Sequence, residues 1–218
     1  MTRPLQAAGL SRADLRRQLR RARRALSPAA QRLASKKLSR MLSQSPAFRR
    51  ARHVAFYLAN DGEIDIRPLL LEAQRRGKTT YLPVLKAWPR TRMAFQRVRP
   101  REKLVRNRFK IQEPRPQPAM QRKTWALGLI LLPLVGFDAR GGRLGMGGGF
   151  YDRSLAFKRT RKGQCKPSLL GVAHECQQVE RLPVSSWDVP LDATVTDGGW
   201  YPAASSKSAD IQPTQTQL

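Results

Sequence analysis

Acidic side chains are scarce in this chain: 15 Asp and Glu stand against 42 Lys and Arg in 218 residues, a formal charge of +27. Such an excess predicts attraction to polyanions: nucleotides, polycarboxylate tails, RNA or anionic lipid. The imbalance is uneven. Residues 1–50 hold 14 basic side chains against Asp14 alone, and residues 86–123 hold 13 against Glu102 and Glu113. Cysteine is nearly missing. Cys165 and Cys176 form no CxxC pair, which argues against a disulfide scaffold and makes a reducing cytoplasm the expected setting. Two histidines, His53 and His174, are too few for a metal cluster, and both are read as structural or surface residues. No run of about 20 apolar residues occurs, so no helix is expected to span a membrane. The arginine-rich, acid-poor N-terminus is like a mitochondrial transit peptide, a reading set aside because the same arginines have a better use.

Glycine, by contrast, is concentrated. Between Gly141 and Gly149 there are six: Gly141, Gly142, Gly145, Gly147, Gly148 and Gly149. The apolar run Leu127 to Val135 leads into them, and Phe150, Tyr151, Asp152 and Arg153 close the segment. Without Cβ atoms the backbone can approach a ligand and turn successive N–H groups into one concavity. Such a nest opening a helix is a phosphate site. Arg143 and Arg153 put fixed positive charge at its two ends, and Asp152 is placed to hold a magnesium ion between phosphates. No Gly-Lys-Ser/Thr follows, which excludes a Walker A loop. The loop's late position and the lack of a βαβ unit exclude a dinucleotide fingerprint.

A chain of this length fits one domain with a substantial core. Residues 1–202 are expected to form it, and 203–218, rich in Ser, Gln, Thr and Pro, to be a disordered C-terminal tail. Leu15, Leu19 and Leu26 predict a first helix over 11–26 with Ser11 as N-cap; Pro28 opens a second to about Ser43, burying Leu33, Leu38, Met41 and Leu42. Strands are expected at 53–58, 79–84, 127–135, 168–173 and 193–196, with 93–98 as an edge strand. Helices are expected at 66–76 and 150–158, and 99–124 reads as a basic surface excursion. Alternating strands and helices predict an α/β fold: a single three-layer domain whose largely parallel sheet is flanked by helices on both faces. Ligands of such sheets bind beyond the carboxyl ends of the strands, which would bring the loops after Leu58, Val84 and Val135 together.

The segments 15–27 (LRRQLRRARRALS), 57–63 (YLANDGE), 81–84 (YLPV), 107–114 (NRFKIQEP), 132–153, 171–173 (GVA) and 187–192 (WDVPLD) resemble those of the 5-formyltetrahydrofolate cyclo-ligase (methenyltetrahydrofolate synthetase) family in order and spacing, from about Arg12 to Thr196. The resemblance implies ATP- and magnesium-dependent conversion of 5-formyltetrahydrofolate to 5,10-methenyltetrahydrofolate, with ADP and phosphate released. In that reaction the formyl oxygen attacks the γ-phosphate, an imidoyl phosphate forms, and N10 displaces the phosphate. Phosphoryl transfer of this kind needs two ligands held in line and oxygen charge neutralised. No protein nucleophile is required, and the sequence offers none.

By the same resemblance, Arg12, Arg16 and Arg20, four apart on one helix face, reach ATP phosphates. The ATP loop is Arg143, Leu144, Gly145, Met146, Gly147, Gly148, Gly149, Phe150 and Tyr151. Its middle, Met146 to Phe150, also touches the folate, together with Leu58 and Glu63. Arg143 and Tyr151 are the catalytic candidates, Tyr151 by stacking on or hydrogen-bonding the folate. A carboxylate at Glu63 suits the pterin's ring amide and amino donors. Asp152 and Asp192 match the magnesium ligands. Trp88, Trp125 and Trp187 read as packing residues. Two departures stand out: many relatives carry lysine at Gly148 and a second tyrosine at Phe150. The implied substrate is a small molecule, possibly polyglutamylated in its tail, and the implied enzyme a cytoplasmic monomer with only incidental nucleic-acid binding. The rival readings are a basic nucleic-acid-binding protein, which the lack of aromatic–basic interleaving disfavours, and a member of the family that has lost the reaction.

Overall fold

Three serines start the first three helices. Ser11, Ser27 and Ser45 accept hydrogen bonds from the amides of Asp14, Ala30 and Phe48 at 3.1, 3.2 and 3.3 Å, which fixes α1 (Arg12–Arg24), α2 (Pro28–Gln44) and α3 (Pro46–Arg50). Then follow α4 (Arg67–Arg75), α5 (Phe150–Leu155) and α6 (Phe157–Thr160). The last two are the expected 150–158 helix, divided at Ala156. The computed structural model describes residues 4–7, 9–160, 166–183 and 188–203. The expectations for Cys165, Trp187 and the tail beyond Ala203 fall outside them. No helix among the described residues is long and apolar enough to cross a membrane.

The strands are β1 (His53–Ala55), β2 (Thr79–Leu85), β3 (Met93–Arg97), β4 (Leu104–Arg106), β5 (Gln112–Pro114), β6 (Gln121–Arg122), β7 (Leu129–Pro133), β8 (Gly136–Phe137), β9 (Arg143–Leu144), β10 (Ser168–Val172), β11 (Ala193–Val195) and β12 (Trp200–Pro202). Eight of them form one sheet in the order β12-β11-β10-β7-β1-β2-β3-β6. Its centre, from β11 to β2, is parallel, and β12, β3 and β6 join antiparallel. The fold is therefore α/β with a mostly parallel sheet, and helices cover both faces. On one, Leu38 and Leu42 of α2, Phe48 of α3 and Leu69 of α4 pack on Val54, Leu129, Leu131 and Val172. On the other, Leu155 of α5 meets Phe95, Ile130 and Leu132. α1 lies at the sheet's end, where Leu15 and Leu19 bury against Val135, Leu144, Val179 and Leu182.

Some expectations change. Leu33 is 55% exposed, because the buried side of α2 follows Ala34, Leu38 and Leu42 at intervals of four, and Leu33 falls about 100° off that line. β3 is not the edge, since β6 pairs on its outer side through Phe95↔Arg122. The 99–124 stretch holds the β4–β5 hairpin as well as β6. Trp88 and Trp125 are 84% and 50% exposed, so neither is a packing residue. His174 is buried, and His53 is half-buried.

A cavity at the carboxyl ends of the parallel strands

Beyond the carboxyl ends of β1, β2 and β7 lies a cavity of about 1040 Å³, with Leu58, Leu85 and Leu134 among its wall residues. Its composition is that of a ligand pocket: apolar walls with a few convergent charges. The glycine loop, Gly145 to Gly149, forms one side and runs into α5. Gly149 caps that helix at φ +62°, and Gly147 sits at φ +94°, backbone that L side chains rarely adopt. Arg16 lies across the loop: its Nε donates to the Gly145 carbonyl at 2.8 Å. Arg153 pins the loop from the far end, donating to the carbonyls of Gly148 and, at 2.7 Å, Thr91.

Asn60, Asp61 and Glu63 also line the cavity, where the chain turns tightly. Asp61 and Gly62 have φ of +55° and +76°, and the Glu63 amide donates to the Asn60 carbonyl at 3.0 Å, the pattern an Asp-Gly pair favours. Asp61 collects three guanidinium groups, from Arg20, Arg23 and Arg24. Burial opposes its charge, but the hydrogen bonds from those arginines win and hold its carboxyl at about 2. Arg23 is fully buried and bridges the parts: it donates to the Asp61 carbonyl at 2.8 Å and the Leu134 carbonyl at 3.1 Å, and approaches Glu63 at 3.8 Å.

Glu63 is the most perturbed carboxylate. Burial pushes it up to about 7, against the pull of Arg23 and of the Asn60 amide bonded to Oε2 at 3.1 Å. Tyr151 is held far above the usual phenol range by burial and the neighbouring Glu63 charge, with Arg143 opposing. Tyr151 therefore stays a neutral hydrogen-bonding group at any physiological pH and cannot serve as a base.

Most residues singled out from the sequence meet in this one space: Arg12, Arg16, Leu58, Glu63, Arg143, Gly145, Met146, Gly147, Gly148, Gly149, Phe150, Tyr151 and Asp152 all line it. Three do not. Arg20 stands behind the wall, bonded to Asp61 at 2.7 Å. The Leu144 side chain is 1% exposed and packs against α1, so it offers a ligand no surface. Asp192 precedes β11 at the amino ends of the parallel strands, and its carboxylate accepts from the Leu169 amide at 2.7 Å. The acid of that segment which does reach the cavity is Asp188, paired with Arg12 at 3.0 Å. Its distance in sequence from Asp152 hides the relation.

The sequence reading also missed the roof. Asn107, Phe109, Ile111, Gln112 and Glu113 of the β4–β5 hairpin line the cavity. Asn107 Oδ1 accepts from the amides of Phe109 and Ile111 at 2.9 and 3.1 Å and shapes the hairpin turn. Buried Glu113 ties the hairpin down through the Leu85 amide at 3.1 Å and Asn107 at 3.0 Å. Phe109 then meets Phe150 of the glycine loop edge-on, with centroids 5.9 Å apart.

Among the described residues no three or more His, Cys, Asp or Glu converge as a metal cage. Asp152 and Asp188 nevertheless both line the cavity. Two carboxylates suit magnesium, which usually takes one or two from protein and the rest from phosphates and water.

Residues 8–197 match the model of the 5-formyltetrahydrofolate cyclo-ligase family. The chain is 42% identical over 179 residues to the 5-formyltetrahydrofolate cyclo-ligase of Escherichia coli K12, covering 82% of this chain and 96% of that one. It is 36% identical to the Haemophilus influenzae protein of the same name, covering 83% and 94%. The NMR structure of Aquifex aeolicus 5,10-methenyltetrahydrofolate synthetase superposes with a TM-score of 0.76 at 31% identity, over 90% of this chain and 94% of that one.

Proposed function

Since the chain belongs to the 5-formyltetrahydrofolate cyclo-ligase family, we propose that its cavity binds 5-formyltetrahydrofolate and MgATP side by side and closes the folate to 5,10-methenyltetrahydrofolate, releasing ADP and phosphate. One observation carries the reading: phosphate-type groups (Arg16, Arg143, Asp152 and the glycine loop) and pterin-type groups (Glu63, Leu58 and Tyr151) line one and the same space.

MgATP supplies the phosphoryl group that turns the formyl oxygen into a leaving group. Arg16 and Arg143 hold its oxygens, and the loop amides line the α5 end of the concavity. Arg143 is buried and paired with Asp152. Asp152 and Asp188 are the lining carboxylates that would hold magnesium, which would neutralise phosphate charge there, while Arg143 would contact phosphate. Glu63 accepts from the pterin's donors. Tyr151, neutral between Glu63 and Arg143, hydrogen-bonds at the junction of the two ligands. Phe109 and Phe150 close the roof over the folate and keep water from the activated carbon.

Purified protein is expected to form the methenyl chromophore from 5-formyltetrahydrofolate only when ATP and magnesium are both present, with one ADP per product. A metal-replete preparation that binds ATP and never produces the chromophore would defeat the proposal and leave an inactive homologue.

Glu63 gives the reading a pH signature. Only its ionised form accepts both pterin donors, so with a midpoint of about 7 folate affinity should rise with pH, by about tenfold from pH 6 to pH 8. Glu63→Gln should weaken folate binding, flatten this profile and leave ATP affinity nearly unchanged. Separate titrations of the two ligands test it; equal losses for both would make Glu63 a structural support of the loop.

A further inference from the structure

At the other end of the sheet, away from the cavity, cations gather around His53, and the charges that act on it are all basic. His53 opens β1, and its Nδ1 lies 3.1 Å from the Tyr81 hydroxyl of β2. Arg97 ends β3 in register with Tyr81, on the face that carries Phe95. Arg122 of the edge strand β6 is in register with Phe95. Directly opposed residues of antiparallel strands share a face, so His53, Tyr81, Arg97 and Arg122 form a row across four adjacent strands. Burial first, then Arg122, Arg52 and Arg97, lower the His53 imidazole's basicity, with no acid counteracting them.

No ion pair engages Arg52, Arg97, Arg122 or Lys123 among the described residues. The nearby acids are committed elsewhere: Glu113 is buried under the hairpin, and Glu102 accepts from the Arg99 amide at 2.8 Å. Immediately after β6, Trp125 is half-exposed on a short 3-10 turn, with the Lys123 ammonium 5.9 Å from its ring centroid.

We propose that this amino-end surface, Arg52, His53, Arg97, Arg122, Lys123 and Trp125, docks single-stranded nucleic acid without sequence preference and leaves the catalytic cavity open. The row of uncompensated cations is complementary to a phosphodiester backbone, and a half-exposed indole flanked by a cation is a stacking platform for any base. A small anion would use the cations and leave the indole idle. The edge strand links the two kinds of group: Arg122 Nε donates to the Ala126 carbonyl at 2.8 Å, one residue past Trp125.

A short fluorescein-labelled oligouridine, followed by anisotropy at about 100 mM salt, tests the proposal on the whole protein. Arg97→Gln/Arg122→Gln is expected to weaken binding about tenfold. Lys36→Gln/Lys37→Gln, the same charge loss on the exposed side of α2, should change it less than about twofold. Cyclo-ligase turnover should be unchanged in both, and saturating MgATP should not release the oligomer. The chain's two histidines add a local reading: by NMR the oligomer should raise the titration midpoint of His53 and leave His174 alone. Equal losses in the two variants would reduce binding to bulk charge. Displacement by MgATP would move it into the catalytic cavity. A His53 shift reproduced by inorganic phosphate at the same phosphate concentration would make this a small-anion site. Any of these results overturns the proposal.

Discussion

Arg143→Ala and Asp152→Ala are each expected to lower kcat/KM for ATP by roughly 2–4 kcal/mol of transition-state stabilisation, about thirty- to a thousandfold. Both groups line the cavity with the glycine loop, and they are paired with each other. That pairing makes their stability effects unequal. The Asp152 side chain keeps 28% of its exposure and can be left to water, whereas Arg143 keeps 7% and cannot. Removing Asp152 therefore strands a buried guanidinium and should lower the melting temperature more than removing Arg143 does. In phosphoryl transfer the two act as one unit, so the double variant should be hardly slower than the worse single one. Initial rates at varied ATP, alongside thermal melts, measure both effects. Unchanged kcat/KM in both variants, with the fold intact, would remove the glycine loop from the reaction.

Arg23→Met is expected to destabilise the fold by about 3 kcal/mol, near the low end for breaking a buried ion pair, or roughly 6–12 °C in Tm for a chain of this size. Arg23 has no exposed surface and serves the Asp61 carboxylate and the carbonyls of Asp61 and Leu134. Its loss leaves the Asp61 carbonyl without its donor, while the Leu134 carbonyl keeps Gln177 Nε2 at 2.7 Å, and it removes the cation that approaches Glu63 at 3.8 Å. Folate affinity at neutral pH should fall with stability, because Glu63 then ionises less readily. Arg23→Lys should recover little, since a point charge cannot reach acceptors on two chain segments at once. Arg24→Met, on the exposed side of the same cluster, should cost less than about 1 kcal/mol. Chemical denaturation of the three variants decides it; similar losses for Arg23→Met and Arg24→Met would deny the buried hub its role.

Arg23 also marks where the sequence was legible and where it was not. Leu15, Leu19 and Arg23 recur every four residues and share the buried side of α1, so the spacing carried a signal. It was masked because Arg12, Arg16 and Arg20 have the same interval and arginine is dense throughout. The central strands were readable because strands buried on both faces are continuous apolar runs. The β4–β5 hairpin was not: it covers a ligand cavity instead of the core, so its side chains stay polar and mimic a surface loop. Asp192 rests on the family resemblance alone, and nothing in the sequence singles out Asp188. Two acids four positions apart in a loop look alike until strand direction places one at each end of the sheet. Trp125 read as packing because nothing local shows that it follows an edge strand.

Two cations of the cavity are held by acids: Arg12 by Asp188 and Arg143 by Asp152. Under the proposed function, an incoming triphosphate would meet at these two pairs an ion exchanger whose counterions are covalently attached and cannot diffuse away. A monovalent anion such as chloride would have to break a charge-assisted hydrogen bond for one weaker contact and gains nothing. A polyphosphate would bridge several guanidinium groups at once, and the displaced carboxylates would be available to the magnesium it carries. The net charge of +27 brings every anion toward the surface, but valence decides which of them can enter.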